Sequence, residues 1–238
     1  MQELAALVRF EYQSPYQSFQ RSTVCGKLCT LFRIKDPQKF AVSLKEVIGG
    51  RVANVVVEKS QTASEILKAK VLRERVTFMP IDKMQVRSVD PDKLRQIHQL
   101  TGGAAKLAIE LIEFDRKYEP VMVQVFGSTF VCEDQETAKK ICYNRDFGFV
   151  CVTLEGDKYE PAGGLHGGSM AQGSNLLLKV DAFLKSEEQR RAKEQELFKE
   201  KKELETLSEQ QSKTRAISDS KENLERKLYM LNNQVGGL

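Results

Sequence analysis

Two histidines, five cysteines and one glycine-rich turn beside a lysine are the residues of this 238-residue chain best placed to do chemistry. His98 lies in a helical stretch, Lys93 to Leu100, where a solvated or packed imidazole is expected rather than a general base. His166 sits among glycines that would let a ligand approach closely, but no Cys or Asp motif accompanies it. Cys25 and Cys29 stand four apart on an expected strand and so share a face. With no second Cys/His pair at ligand spacing, buried cysteine is the expected role and no metal is predicted. Thr101-Gly102-Gly103-Ala104-Ala105-Lys106 resembles a phosphate loop only faintly. It lacks the spacing G-x-x-x-x-G-K-[ST], and no Ser or Thr follows the lysine to hold magnesium. Neither G-x-G-x-x-G after a strand nor G-x-S-x-G occurs. No catalytic residue, cofactor or enzyme activity is expected of this chain.

Two other features point to binding. The first is the cluster Gly163-Gly164-Leu165-His166-Gly167-Gly168, followed by Gly173. Read as a linker it would be flexible; yet Leu165 and Met170 are apolar residues that a linker does not need. Paired glycines also let two backbones meet without side chains between them, so an intersubunit contact is the competing reading. The second is charge: Lys68 to Arg95 holds eight basic residues against four acidic ones, an excess of four that equals the chain's net +4. Lys68, Lys70, Arg73, Arg75 and Arg87 are the DNA-contact candidates, because a basic cluster can neutralise phosphates without reading sequence. A solvated helix face accounts for the same charges, and no run of exposed aromatics suggests base stacking.

The elements that must carry these residues follow from pattern and composition. At 41% hydrophobic and 29% charged, the chain is too apolar for full disorder and too polar for a membrane protein. No stretch approaches the roughly 20 apolar residues of a membrane span. The N-terminus lacks the flank and core of a signal peptide. An odd number of irregularly spaced cysteines argues against a secreted disulfide framework, and a soluble intracellular chain is expected.

The front part contains one unit twice. An offset of 75 aligns Val57-Glu58-Lys59-Ser60-Gln61-Thr62-Ala63 with Cys132-Glu133-Asp134-Gln135-Glu136-Thr137-Ala138, and Ile66, Val76, Asp82 and Lys83 with Ile141, Cys151, Asp157 and Lys158. In the first copy a helix over 41–48 stops at Gly49-Gly50, a strand covers 53–57, Thr62 with Glu65 forms a capping box for a helix to about Ala69, and a strand covers 76–81. In the second, Pro120 opens a helix that ends near Gly127; a strand at 128–132, a helix at 135–144 and a strand at 149–154 follow. A further strand is expected over 24–34, while 106–114 fits strand or helix. The fold class is α/β (α+β), with two related lobes at about 24–100 and 105–173.

Composition then changes. All six prolines lie at or before Pro161, and no glycine falls between Ser174 and Val235. Leu177, Val180, Leu184, Leu197, Leu204 and Leu207, then Ile217, Leu224, Leu228, Leu231 and Val235, recur at the spacings of a heptad seam. The frame changes across the polar stretch Gln211 to Thr214, as it does where residues are inserted into or deleted from a coiled coil. A helix exposing such a seam needs a partner; over 60 residues it would span roughly 90 Å. A basic DNA-binding domain with a coiled-coil tail and a pairing module that carries an arm both remain open at this point.

A twice-repeated α/β domain running through glycines into a long arm resembles the hinge of structural maintenance of chromosomes (SMC) proteins, most of all the condensin second-subunit type. The match is carried by Phe10-Glu11-Tyr12 with Pro15, Phe19-Gln20-Arg21-Ser22-Thr23-Val24-Cys25-Gly26, Gly49-Gly50-Arg51-Val52-Ala53-Asn54-Val55-Val56-Val57, Phe126-Gly127-Ser128-Thr129-Phe130-Val131-Cys132, Val152-Thr153-Leu154-Glu155-Gly156-Asp157 and Pro161-Ala162-Gly163-Gly164-Leu165-His166-Gly167-Gly168-Ser169. It implies a stub of incoming coiled coil at 1–9, a hinge dimerisation domain at 10–173 and a returning arm at 174–238. It implies pairing through Gly49, Gly50, Gly163, Gly164, Gly167 and Gly168 with a second SMC hinge, of the fourth-subunit type in a heterodimer. It further implies DNA binding without sequence specificity, an antiparallel incoming arm outside this chain, ATPase heads elsewhere in a longer protein, no membrane association, and a place on chromosomes in the nucleus. Ile48 and Met170 depart from the pattern beside the glycines, where smaller or basic residues would be expected.

Overall fold

The computed structural model describes residues 2–86, 88–168 and 175–235. The chain forms two compact units, Met1–Leu184 and Lys185–Leu238. In chain order the elements are α1 (Gln2–Val8), β1 (Val24–Lys27), β2 (Phe32–Ile34), α2 (Pro37–Ile48), β3 (Val55–Val57), α3 (Ser60–Lys68), β4 (Phe78–Pro80), α4 (Pro91–Thr101), β5 (Ala105–Leu107), β6 (Ile112–Phe114), α5 (Glu119–Phe126), β7 (Thr129–Cys132), α6 (Gln135–Cys142), β8 (Val150–Thr153), β9 (Lys158–Tyr159), β10 (Leu165–His166) and α7 (Leu176–Val235).

The repeat is real and longer than the sequence indicates. Each copy runs strand, 3-10 turn, strand, helix, strand, helix, strand. The expected single strand over 24–34 is two strands, β1 and β2, because the 3-10 turn Leu28–Thr30 redirects the chain. Cys25 therefore lies on β1 and Cys29 in that turn, not on one strand face. The undecided stretch 106–114 repeats the same device as β5, the turn Ala108–Leu111 and β6. In lobe 1 the sheet order is β1-β3-β4; in lobe 2 it is β5-β7-β8-β9-β10. β3 pairs parallel with β4 and β7 with β8, each through a crossover helix, as a βαβ unit requires. β2 and β6 pair antiparallel with each other and join the lobes.

The register slips between the copies. Val55 faces Phe78 while its repeat mate Phe130 faces Cys151, so β4 starts two residues later than the offset of 75 predicts. Val76 precedes the strand instead of matching Cys151. The offset is restored at Asp82 and Asp157, and helix capping explains why. The expected capping box at Thr62 and Glu65 does not open α3; the helix starts at Ser60, and Thr62 is buried inside it. Lys59 offers no cap, so Asp82 reaches back from beyond β4 and accepts from the Ser60 N–H at 2.8 Å and its Oγ–H at 3.0 Å. Lobe 2 has Asp134 at the position of Lys59. Its carboxylate accepts from the Thr137 N–H at 2.7 Å, which holds that carboxyl below its usual range. Asp157 is thereby left to accept from the Gln135 side chain at 3.2 Å.

One core serves both lobes. Ala41, Leu44, Val47 and Ile48 of α2 share a buried cluster with Val121, Met122, Val125 and Phe126 of α5. The same cluster holds Val56 and Met79 from the inner face of lobe 1's sheet and Val131 and Val152 from that of lobe 2. Although α2 belongs to lobe 1 by sequence, it packs against β7 and β8 of lobe 2. Gly127 ends α5 where a Cβ would stand 2.5 Å from the Val123 carbonyl oxygen. The outer faces are closed separately: α4 and α6 cover lobe 2, while α3 and the aromatic lead-in carrying Phe10 cover lobe 1. Leu177 and Val180, the first turns of α7, are buried in the shared core together with Val8 of α1.

From Lys185 onward α7 stands in the second unit as one unbroken helix. Its seam is bare, with Leu204 at 71% and Ile217 at 70% exposure. The helix runs straight through Gln211 to Thr214, so the polar stretch turns the apolar stripe to another face without interrupting the backbone. No described helix is long and apolar enough to cross a membrane.

Phe126 is fully buried, and its ring lies 5.2 Å from that of Phe32 on the strand that joins the lobes. Phe126→Ala is expected to cost about 3–5 kcal/mol and to unfold both lobes in one transition, read from denaturant melts followed by probes in each lobe. Two separate transitions would show that the lobes have independent cores.

Candidate dimerisation surface and basic loop

The βαβ units position the candidate residues. A parallel strand pair leaves the outer edge of its second strand open unless something fills it. In lobe 2 the outer edge of β8 is taken by β9, and β10 follows. In lobe 1 the corresponding edge of β4 carries no further strand among the described residues, so the sheet ends there. The Val55 N–H donates to the Thr77 carbonyl at 2.9 Å, so Thr77 and Met79 turn their backbone groups to β3. By alternation Phe78 and Pro80 turn theirs outward, and Pro80 has no N–H to offer. A proline inside a predicted strand was the sequence signal for an edge.

The second open edge is β10. Gly163-Gly164 closes the β9–β10 hairpin; Gly163 adopts φ +93°, and the Glu160 N–H donates to the Gly164 carbonyl at 2.9 Å. This bond turns Gly164 and His166 toward β9 and leaves the backbone of Leu165 facing outward. Gly167 has a reason inside the chain, since a Cβ there would collide with the Asp157 carboxylate. Among the described residues nothing comes within 4 Å of a Cβ built at Gly50, Gly163 or Gly168. Gly50 also has no positive φ, so neither its backbone nor its neighbours demand glycine. Gly49, at φ +52°, ends α2, where the Arg51 guanidinium caps the Val47 and Ile48 carbonyls at 2.7 and 3.2 Å. Half-burial lowers the Arg51 pKa. The structure thus gathers Gly163, Gly164, Gly167 and Gly168 on one hairpin of lobe 2, with Gly49 and Gly50 on the turn before β3 in lobe 1. Sequence reasoning missed the β4 edge and Leu67, which is 53% exposed on α3. Met170 lies outside the described residues.

The basic candidates divide likewise. Lys68 ends α3, and Lys70, Arg73 and Arg75 follow in the exposed loop before β4, Lys70 at φ +53°. Arg87 lies outside the described residues. Lys70 and Arg73 line a groove of about 360 Å³ with Glu11, Tyr12 and Gln13 of the lead-in segment. Across that segment the Arg21 guanidinium sits 4.8 Å from the centre of the Tyr12 ring.

Among the described residues no group of three or more His, Cys, Asp or Glu side chains could hold a metal. Cys29, Cys132, Cys142 and Cys151 are buried, and burial pushes the Cys29 thiol up to about 11. Such thiols are packing residues.

With this geometry the comparisons agree. The profile of the SMC proteins Flexible Hinge Domain matches residues 21–142. Structural maintenance of chromosomes protein 2 of Saccharomyces cerevisiae is 36% identical over 211 residues, 88% of this chain and 18% of that protein. Its Homo sapiens namesake is 32% identical over 187 residues, covering 78% and 16%. The chain thus spans less than a fifth of the length of these relatives. Among solved structures, an asymmetric dimer of the Geobacillus stearothermophilus SMC hinge domain matches with a TM-score of 0.56 at 26% identity, covering 73% of this chain and 68% of that one. The Pyrococcus furiosus Smc hinge domain with an extended coiled coil matches at 0.51 and 28%, covering 78% and 64%. The hinge profile covers just over half of the chain and the Saccharomyces cerevisiae and Homo sapiens relatives match most of it, and the chain belongs to the SMC hinge family.

Proposed function

We propose that this chain is the hinge of a condensin-type SMC protein, the module at which two coiled-coil arms are joined by pairing with the hinge of another SMC protein. The observation that carries the reading is the presence of two unfilled strand edges, β4 in lobe 1 and β10 in lobe 2, on one rigid core. A partner that lays its own β10 along β4, and receives β10 on its own β4, satisfies both edges of both molecules. A twofold relation then closes the assembly at the β4 and β10 edges of both molecules. The solved asymmetric hinge dimer supports pairing of such domains. The glycines at 49, 50, 163, 164, 167 and 168 serve the close backbone approach that this pairing needs.

In this reading the partner is a fourth-subunit-type hinge, giving a heterodimer, and the site of action is the chromosome in the nucleus; the names of the relatives support the chromosome alone. The role is mechanical: pairing closes one end of a ring whose other end is opened and closed by ATPase heads outside this chain. The bare seam of α7 receives the incoming arm in antiparallel fashion. Lys68, Lys70, Arg73, Arg75 and Arg87 add a sequence-independent contact to DNA phosphates.

Gly50→Leu places bulk where no described residue comes within 4 Å, and Gly164→Leu where a Cβ meets the side chains of Glu160 and His166, tightest at the movable Glu160 carboxylate. Each is expected to weaken pairing by at least about tenfold, measured by sedimentation with the partner hinge, while the melting temperature of the unpaired chain stays unchanged. Unaltered pairing would remove the glycine surface from the interface. Lys70→Glu combined with Arg73→Glu is expected to lower affinity for arbitrary duplex DNA and to flatten the log–log salt slope by about 2. An unchanged slope would remove this loop from DNA binding.

A further inference from the structure

We infer that the hinge reads its partner through a short apolar contact, Leu165 of one hinge against Phe78 and Leu67 of the other, held in a single register by Pro80. The inference rests on the hinge reading above and adds to it which side chains select the partner.

The repeat supplies an internal template. Ile66 on α3 and its repeat mate Ile141 on α6 are both fully buried. At the next position the copies part: Leu67 is 53% exposed, whereas Cys142 is 1% exposed. Cys142 belongs to the buried cluster that also holds Tyr159 of β9, the strand that fills the outer edge of β8. Burial raises its thiol pKa, and the nearby Cys132 and Glu160 add to the rise. Among the described residues no strand lies beyond β4, so no strand covers Leu67 as β9 does the matching side of lobe 2. A residue left bare at a position the same chain covers in its other copy marks a surface built to be covered by a strand.

The β10 edge fits that vacancy in three ways. Leu165 is 60% exposed on it, a large apolar side chain left mostly uncovered by the described residues. Its backbone groups face outward, as do those of Phe78 on β4. Their side chains also agree in face. Phe78 packs with the outer cluster of Val55 and Val57 and meets the Phe10 ring at 6.0 Å. Leu165 stands opposite Tyr159, which belongs to the outer cluster of lobe 2. Laid antiparallel with Leu165 opposite Phe78, the strands exchange two backbone hydrogen bonds and bring Leu165 beside Phe78 and Leu67.

Neighbouring registers fail for separate reasons. A shift of one residue turns Leu165 to the opposite face and its N–H away from β4. A shift of two one way sets Leu165 against Pro80, which has no N–H to return, and the other way against Val76, which lies ahead of β4 and outside the strand. The partner is therefore a hinge domain with an apolar residue at the Leu165 position of its own edge hairpin and apolar residues at its Phe78 and Leu67 positions. A hinge with a charge at either place is rejected, since that charge would be buried unpaired.

The test uses the full 238-residue chain and a fourth-subunit-type hinge, with affinity from sedimentation or calorimetry. Leu67→Asp and Leu165→Asp are expected to weaken pairing by at least about tenfold each without changing the melting temperature, since both side chains are exposed in the single chain. Leu67→Met and Leu165→Met should retain wild-type affinity, and Leu67→Lys should recover pairing with a partner carrying Asp at its Leu165 position. If the Asp variants pair as tightly as wild type while Gly50→Leu does not pair, the apolar contact is wrong and the hinge reading stands. If the wild-type chain pairs with neither that hinge nor a second copy of itself, both fall.

Discussion

A βαβ unit satisfies the hydrogen bonds on one side of its second strand and leaves the other side open, and this hinge is organised around what happens at those open edges. In lobe 2 the chain continues past β8 through Gly156 into β9 and β10, which moves the open edge outward by two short strands. In lobe 1 the chain turns away after Pro80 toward α4, and β4 remains the limit of its sheet. The same unit is thus finished in one copy and unfinished in the other. Natural sheets protect long edges, and here both edges are kept to two or three residues, enough to specify a partner and too short to recruit strands at random.

An edge is useful for pairing only if its place is fixed relative to the other edge of the same molecule. The shared core provides this. With α2 packed on the sheet of lobe 2 and the α5 side chains buried among residues of both sheets, neither lobe has a closed interior of its own. The β2–β6 pair adds backbone hydrogen bonds across the join. An exposed ion pair between Lys39 and Glu133 at 3.4 Å also spans the lobes, but pairs this exposed contribute little. Burial, not charge, holds the two edges at a set separation.

Charge has a different distribution and a different task. Of the basic candidates Lys70, Arg73 and Arg75 fall in the exposed loop between α3 and β4, the segment that takes up the two-residue slip between the repeats. Nothing in the core constrains that loop except its ends, so its composition is free to serve a partner outside the chain. The arm is the reverse case. Its first seam residues, Leu177 and Val180, go into the core of the first unit, and those from Leu197 to Leu228 stay exposed.

How much of this was legible in the sequence varies with the physical range of the signal. Helix caps and stops are local, so α2 ending at Gly49, α5 opening at Pro120 and α6 following Asp134 could be read from short stretches, and seven-residue periodicity made α7 plain. The repeat was visible at Val57 and Cys132 because equivalent strands bury equivalent residues. The start of α3 was misplaced because its cap, Asp82, comes from 22 residues away. The two strands in 24–34 were merged because a 3-10 turn made of apolar residues leaves no break in the pattern. Glycine content marked the neighbourhood of β10, but a glycine-rich run looks alike whether it links or pairs. That β4 has no neighbour while β8 has one, and that Leu67 is therefore bare where Cys142 is covered, depends on strand order. Strand order is settled by contacts between distant parts of the chain, and only the tertiary structure contains them.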